Sequence, residues 1–182
     1  MPQYIAFLRA INVTGRFIKM VDLAKHVRTL GHTNVKTYIN SGNVLFQSRH
    51  LSIARMAVAM EDGLEPLLGF RAEVFVRTVP QLRAVAAKAA ALRSRIGPEG
   101  DINVAFLQRP LTSEDAAAIA PLRNAQDDFE CDGHELYWIC QSLQSQSKFS
   151  NAVLERKLRT RATLRRGSML QGLLAALPIA KG

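Results

Sequence analysis

Long apolar runs are missing from this chain of 182 residues. Its apolar stretches are short and interrupted by charges, and none approaches the ~18 consecutive residues that a membrane-spanning helix needs. The first residues, MPQYIAFLRAI, lack a basic segment and a small-residue cleavage site, and their pattern predicts a strand instead of a signal peptide. We therefore expect a soluble, cytoplasmic protein without a membrane partner.

Cysteine is scarce, and the only two are Cys131 and Cys140. Both fall on one predicted hairpin with its turn at residues 133–134, where Cys131 faces Leu136 and Cys140 faces Asp127. The two thiols are then several rungs apart, beyond the ~7 Å between Cα atoms that a disulfide tolerates. We expect reduced, buried thiols.

Metal-ligand and nucleophile patterns are also missing. The four histidines are scattered, and none is spaced from a cysteine as metal ligands are. No Ser-His-Asp or Cys-His pairing is visible. The sequence therefore predicts no metal site, no cofactor and no assigned catalytic residue.

Acidic residues are rare in the last quarter of the chain. Residues 1–140 carry 16 basic and 14 acidic side chains, whereas residues 141–182 carry eight basic side chains and only Glu155. Basic surfaces attract polyanions, but they also occur as solvated surface without any partner. Nucleic acid is therefore one candidate partner of a protein whose net charge is +9.

A repeated order of elements is the main positive signal. Hydrophobic residues make up 48% of the chain, which excludes global disorder. Periodicity and turn residues predict the order β-α-β-β-α-β over residues 1–78, and residues 99–182 repeat it and add a C-terminal helix. An alanine-rich helical segment, 79–98, lies between them. We predict an α+β protein of two tandem ferredoxin-like modules joined by a helix.

Such a module carries its helices on one sheet face and leaves the other face to be covered. Toward the helices of the first module we expect Thr37, Ile39, Val44 and Phe46. Away from the helices we expect Tyr4, Leu8, Tyr38, Leu45 and Phe75, and in the second module Tyr137 and Ile139. Packing of the modules or a homodimer would cover these faces. The third strand offers Asn43, Leu45 and Gln47 where an RNA-binding sheet needs stacking aromatics, so RNA recognition by the sheet is disfavoured.

Two groups of small polar residues interrupt the apolar strands of the first module. In a β-α-β-β arrangement the loop after the first strand, the turn after the second and the start of the first helix share one sheet edge. Cations and amides beside free helix N–H groups suit a phosphate or carboxylate, and the absence of acidic residues from both loops argues against Mg²⁺. The predicted ligand-binding residues are Arg9, Asn12, Arg16, Lys19, Asn40, Ser41 and Asn43, with Lys148 at the start of the next-to-last helix.

A purely structural interpretation stands beside the binding one. Asn12 and Asn43 would cap turns, two glycines would supply positive φ, and the loops would hydrogen-bond to each other. Ser147 is the predicted N-cap of the next-to-last helix, and Lys148 beside it either holds an anion or is solvated.

Three functions remain open from these residues. The preferred one is non-catalytic binding of a phosphate-bearing ligand or nucleic acid. The second is an enzyme acting on a phosphorylated small molecule, with Lys19 or Lys148 stabilising charge. The third is a dimeric scaffold without a ligand site.

Three stretches, FLRAINVTGRFIKM, GHTNVKTYINSGNVLF and SQSKFSNAVLERKL, resemble the bacterial family called domain of unknown function 1697. The resemblance covers nearly the whole chain and implies two tandem ferredoxin-like modules, with no established activity. The chain departs from the family's motifs where Thr14 replaces the first glycine of Asn-Val-Gly-Gly. Residues 145–149 retain only the Ser-Lys of Gly-Arg-Ser-Lys-Leu, and residues 164–169 keep only Arg165 of Thr-Arg-Asn-Trp-Asn-Thr. If that last motif forms part of a shared pocket, ligand binding there is altered or absent.

Overall fold

A computed structural model describes residues 1–13, 15, 17–50 and 52–177. The strands in this part are β1 Gln3–Leu8, β2 Thr33–Tyr38, β3 Asn43–Gln47, β4 Val74–Thr78, β5 Asp101–Leu107, β6 Asp127–Asp132, β7 Glu135–Cys140 and β8 Ala162–Arg166. The helices are α1 Met20–Thr29, α2 Ile53–Leu68, α3 Val79–Leu92, α4 Ser113–Ile119, α5 Asn151–Leu158 and α6 Gly167–Ala175. The chain divides into two compact units, Met1–Leu82 with residues 175–177, and Arg83–Leu174.

The first unit is built on a four-stranded sheet in the order β2-β3-β1-β4, with every neighbouring pair antiparallel. Helices α1 and α2 pack on one face, where Leu23 and Met60 join Ala6 and Val44 in a continuous core. Burial of this apolar surface is the main stabilising contribution. The outer strand β2 has an irregular register between Thr33 and Lys36.

Some residues of the first sheet do not lie on the face that the sequence predicted for them. Val44 and Phe46 pack under the helices as expected, but Tyr4 and Leu8 lie in that same core instead of facing away. β1 is buried on both faces, so its apolar run carries no alternation that identifies the helix side. Ile39 is also misassigned, because it lies in the turn after β2 and is 54% exposed.

The second unit repeats the strand order, as β6-β7-β5-β8, again with antiparallel neighbours. The hairpin turn lies at residues 133–134, and Cys131 faces Leu136 while Cys140 faces Asp127, as expected. Both thiols are free, and burial raises the pKa of each. Two antiparallel sheets with packed helices confirm the predicted α+β class.

The outer strand β6 of this second sheet is strongly acidic. Asp128 and Glu130 both pair with Arg95, and Asp132 accepts a hydrogen bond from Lys88 at 3.0 Å. These side chains alternate with Phe129, which is buried in the core on the other face of the strand. Charge on one face and an apolar residue on the other are typical of a strand with one solvated face.

Helix α4 begins with a complete capping box. The Thr112 hydroxyl accepts a hydrogen bond from Asp115 N, and the Asp115 carboxylate accepts one from Thr112 N at 2.8 Å. Arg109 donates a second pair of hydrogen bonds to the same carboxylate. Chiefly because of Arg109, the pKa of Asp115 is lowered to about 2.

Within the described ranges, no helix is both long and apolar enough to cross a membrane.

Candidate functional site

The two polar loops of the first unit meet at one edge of its sheet. Antiparallel pairing places Phe7, near the end of β1, opposite Asn43 at the start of β3. Leu8 N then donates a hydrogen bond to the Gly42 carbonyl at 2.8 Å. The loop after β1 and the turn between β2 and β3 are therefore held directly against each other.

Asn12 connects three segments at this edge. Its side-chain Nδ2 donates to the Asn40 carbonyl at 3.1 Å, and its Oδ1 accepts from Ile18 N at 2.9 Å. Asn12 itself adopts a φ of +56°, a left-handed conformation that asparagine tolerates better than most residues. It thereby fixes the turn and the approach to α1 with a single side chain.

Asn43 braces the turn from within. Its buried Nδ2 donates to the Tyr38 carbonyl at 3.0 Å and to Ser41 Oγ at 2.8 Å. Gly42, at a φ of +70°, lies so close to the other loop that an added Cβ would be 3.1 Å from the Cβ atoms of Leu8 and Ile11. Asn12, Ser41 and Asn43 therefore use hydrogen-bonding groups within the protein, and their part in any site is to hold its frame.

The predicted cationic side chains differ in their surroundings. Arg9 Nη1 lies 3.4 Å from Glu73 Oε2, so an acidic residue remote in sequence reaches this edge. Lys19 is exposed at the residue before α1, and its carbonyl accepts from Asp22 N and Leu23 N. Arg16, like Thr14, lies outside the described residues. Lys148 is exposed and belongs to the second unit.

An apolar patch that the sequence pattern did not predict lies at the same edge. It consists of Val13, Phe17, Val21 and Ile39, which are 49%, 76%, 68% and 54% exposed, and we call it the edge patch. Large apolar residues inside polar loops were the signal that could have revealed it. Exposed large apolar side chains gathered at one edge are typical of a binding surface.

The second unit contains an open cleft of about 460 Å³ at the start of α5. Its walls include Trp138, Leu143, Ser145, Asn151, Leu164 and Arg166. Loop 143–150 supplies one wall and β8 supplies another. Ser150, not Ser147, caps α5, since its Oγ accepts a hydrogen bond from Val153 N.

Ser147 instead anchors this loop to a buried carboxylate. Its Oγ lies 2.9 and 2.8 Å from the two oxygens of Asp127 and accepts a hydrogen bond from Phe149 N at 2.8 Å. Trp138 Nε1 donates to Asp127 Oδ1 at 2.7 Å. Asp127 is 2% exposed. Through these hydrogen bonds its carboxylate holds both the loop and the indole of Trp138 in place.

In the part of the chain that the structure describes, no group of three or more His, Cys, Asp or Glu side chains could hold a metal ion.

The comparisons with known proteins identify a family but no activity. A family model described as "Protein of unknown function (DUF1697)" matches residues 1–137. The chain belongs to this family. No curated protein matches it. Among solved structures, the conserved bacterial protein SP0830 from Streptococcus pneumoniae is similar, with a TM-score of 0.74 and 22% identity over 96% of this chain and 97% of that one. At this identity the likeness shows the fold alone.

The family match covers the first-unit edge and ends before the loop that forms the cleft. The stretches 145–149 and 164–169 both contribute lining residues to that cleft. Residues of both stretches therefore line one cleft in this chain.

Proposed function

We propose that the protein is a non-catalytic binding protein for a phosphate-bearing ligand, which it holds at the loop edge of the first unit. One observation carries the proposal: Phe17, 76% exposed, lies two residues before the exposed Lys19 at the start of α1. An exposed aromatic ring stacks on a nucleobase, and a lysine beside a helix N-terminus attracts phosphate.

The remaining predicted residues keep their place in this proposal. Asn12 and Asn43 act as the frame, because their amides tie the loops together. The proposed ligand-binding set at this edge remains Arg9, Asn12, Arg16, Lys19, Asn40, Ser41 and Asn43, and Lys148 is a separate proposed anion contact within the second unit. The proposed ligands are a phosphorylated small molecule, with a mononucleotide as the simplest case, or single-stranded nucleic acid.

The proposal also includes the modular architecture of the chain. We take the two units to be tandem ferredoxin-like modules, 1–78 and 99–182 with 79–98 between them. Support comes from the strand order, β2-β3-β1-β4 in one sheet and β6-β7-β5-β8 in the other, each with two intervening helices.

Fluorescence anisotropy of labelled oligonucleotides, with mononucleotides as competitors, tests the binding. We expect Lys19→Gln and Phe17→Ala each to weaken binding by about tenfold, because a charge-assisted contact and a stacking contact are each worth about that much. Lys25→Gln is the matched control, since it removes the same charge from an exposed position of α1. Equal losses in Lys19→Gln and Lys25→Gln would show that only net charge matters and would refute the proposal.

A homodimer that covers the edge patch is the second candidate. Its support is the exposure of Val13, Phe17, Val21 and Ile39 together. Sedimentation equilibrium distinguishes it: a mass that rises with concentration and reverts in Phe17→Ser supports a dimer, and a constant monomer mass excludes it.

A further inference from the structure

The cleft of the second unit is a separate place for a ligand, apart from the first-unit edge. Its volume of about 460 Å³ lies in the range of roughly 300–1,000 Å³ that small-molecule sites occupy. Leu143, 56% exposed, and Leu164 supply apolar walls, and Trp138 and Phe149 close the inner end. The cleft therefore accommodates the flat, partly apolar body of a small molecule.

Two buried polar atoms, one in a residue that lines this cleft and one in a residue that neighbours it, have no hydrogen-bond partner among the described residues. Asn103 is fully buried, and in register it lies between Trp138 and Arg166, both of which line the cleft. Its Oδ1 accepts from Gln144 in the cleft wall, but its Nδ2 has no partner. A buried donor without a partner is rare in folded proteins.

Asn151 has a buried acceptor without a partner. Its Nδ2 donates to the Ala162 carbonyl at 2.9 Å and to Glu155 Oε1 at 3.3 Å, whereas its buried Oδ1 has no partner in the described part of the chain. Asn151 lines the cleft directly. Of these two atoms only Asn151 Oδ1 belongs to a residue that lines the cleft, and it can accept a hydrogen bond from the edge of a heterocyclic base.

The outer part of the cleft is suited to an anion. Arg166 lines it with a side chain that is 64% exposed and whose Nε lies 3.5 Å from Asp101 Oδ2. Ser145 and the N-terminus of the eight-residue helix α5 also line the cleft. A guanidinium, a hydroxyl and helix N–H groups are together a typical phosphate environment.

From these observations we propose that the cleft binds a nucleoside monophosphate. The phosphate lies against Arg166, Ser145 and the start of α5. The base lies between Leu143 and Leu164 and donates a hydrogen bond to Asn151 Oδ1. This site is independent of the first-unit edge, and either can exist without the other.

Trp138 is the only tryptophan of the chain and lies in the cleft wall, so its fluorescence reports occupancy. We expect at least one of AMP, GMP, CMP and UMP to change this fluorescence saturably, with the matching nucleoside and inorganic phosphate each binding at least about tenfold more weakly. Arg166→Gln should raise the Kd by about tenfold or more, because it removes a charge-assisted contact. Ser145→Asp provides a second test through repulsion of the phosphate.

Two controls separate this site from general charge and from the first-unit edge. Arg156→Gln removes an exposed charge of α5 that does not line the cleft, and Lys19→Gln removes the cation of the other proposed site. Both should leave the Trp138 titration unchanged. The proposal is overturned if none of the four nucleotides gives a saturable change at millimolar concentration, or if Arg156→Gln weakens binding as much as Arg166→Gln does. A loss in Lys19→Gln alone would overturn it too and assign the nucleotide to the first-unit edge.

Discussion

Asp127 is the residue whose replacement tests the second unit most directly, because donors from three segments converge on its buried carboxylate. Trp138 Nε1 lies 2.7 Å from Oδ1, Ser147 Oγ lies within 2.9 Å of both oxygens, and Asn124 Nδ2 lies 3.3 Å from Oδ2. In Asp127→Ala the indole N–H and the Ser147 hydroxyl lose their acceptor. Each unsatisfied buried group costs about 1–3 kcal/mol, so we expect a loss of about 3–5 kcal/mol in the free energy of unfolding.

The contribution of Ser147 can be isolated by a double-mutant cycle. Ser147→Ala removes one hydrogen bond to a charged acceptor and should cost about 1.5–3 kcal/mol. Because both variants remove the same contact, the double variant should be less destabilised than the sum by about 1–2 kcal/mol. The loop that lines the cleft should become mobile in either single variant, since Ser147 also holds Phe149 N.

Urea unfolding followed by the fluorescence of Trp138 measures these losses in the unit that carries the changes. Asp132→Ala is the control: it removes a carboxylate from the same strand, but one that is 60% exposed and paired with Lys88, so it should cost less than about 1 kcal/mol. If Asp127→Ala costs no more than Asp132→Ala, or if the Asp127 and Ser147 losses are strictly additive, the carboxylate is not the anchor of the loop.

Further predictions concern acid sensitivity and the first-unit turn. The pKa of Asp115 is about 2 against an unfolded value of 3.8, so its contribution is present above pH 3.8 and is lost as the pH falls toward 2. Arg109→Met should therefore remove about 1–1.5 kcal/mol at neutral pH after allowance for solvent screening, and urea unfolding should show little of that difference at pH 2. Burial lowers the pKa of His32 below 6.5, so stability should decline as the pH falls through 6.5 toward the lowered value. His32→Leu should flatten that decline without loss at neutral pH, since neither ring nitrogen has a partner in the described structure; an unchanged slope would contradict the assignment. Gly42→Ala should lower the thermal midpoint through a cost of about 1–3 kcal/mol, because its φ is +70° and the new methyl would press on Ile11, whereas Gly97→Ala, which meets open space, should be nearly neutral.

Local signals in the sequence were sufficient for most elements of the fold. The hairpin with its turn at residues 133–134 was predicted with its bounds and register, because alternating residues flank a glycine turn there. The faces of β1 were not predicted correctly, because a strand that is buried on both sides has no polar side to identify. Ile39 was predicted to face the helices from the second strand, but it occupies the turn after β2 at a φ of +49°, a conformation that β-branched residues rarely adopt.

The candidate site shows where local reasoning fails. The meeting of the two loops follows from topology, which the sequence predicted, and the hydrogen bond from Asn12 to Asn40 is consistent with it. The pairing of Arg9 with Glu73 spans 64 positions, so no local pattern could reveal it. Ser147 and Ser150 are both good capping residues, and only the distant Asp127 decides which of them caps α5.

The acidic strand β6 has a consequence for how this protein behaves at high concentration. An outer strand is the place where a second molecule could add itself and begin an aggregate. Two copies of β6 side by side would bring Asp128, Glu130 and Asp132 of each molecule against the same carboxylates of the other. Their repulsion opposes growth by sheet extension, even while the basic partners Arg95 and Lys88 neutralise the strand within one molecule. Replacing these basic residues should leave the protein soluble, whereas replacing the acidic ones by threonine should make it precipitate on storage.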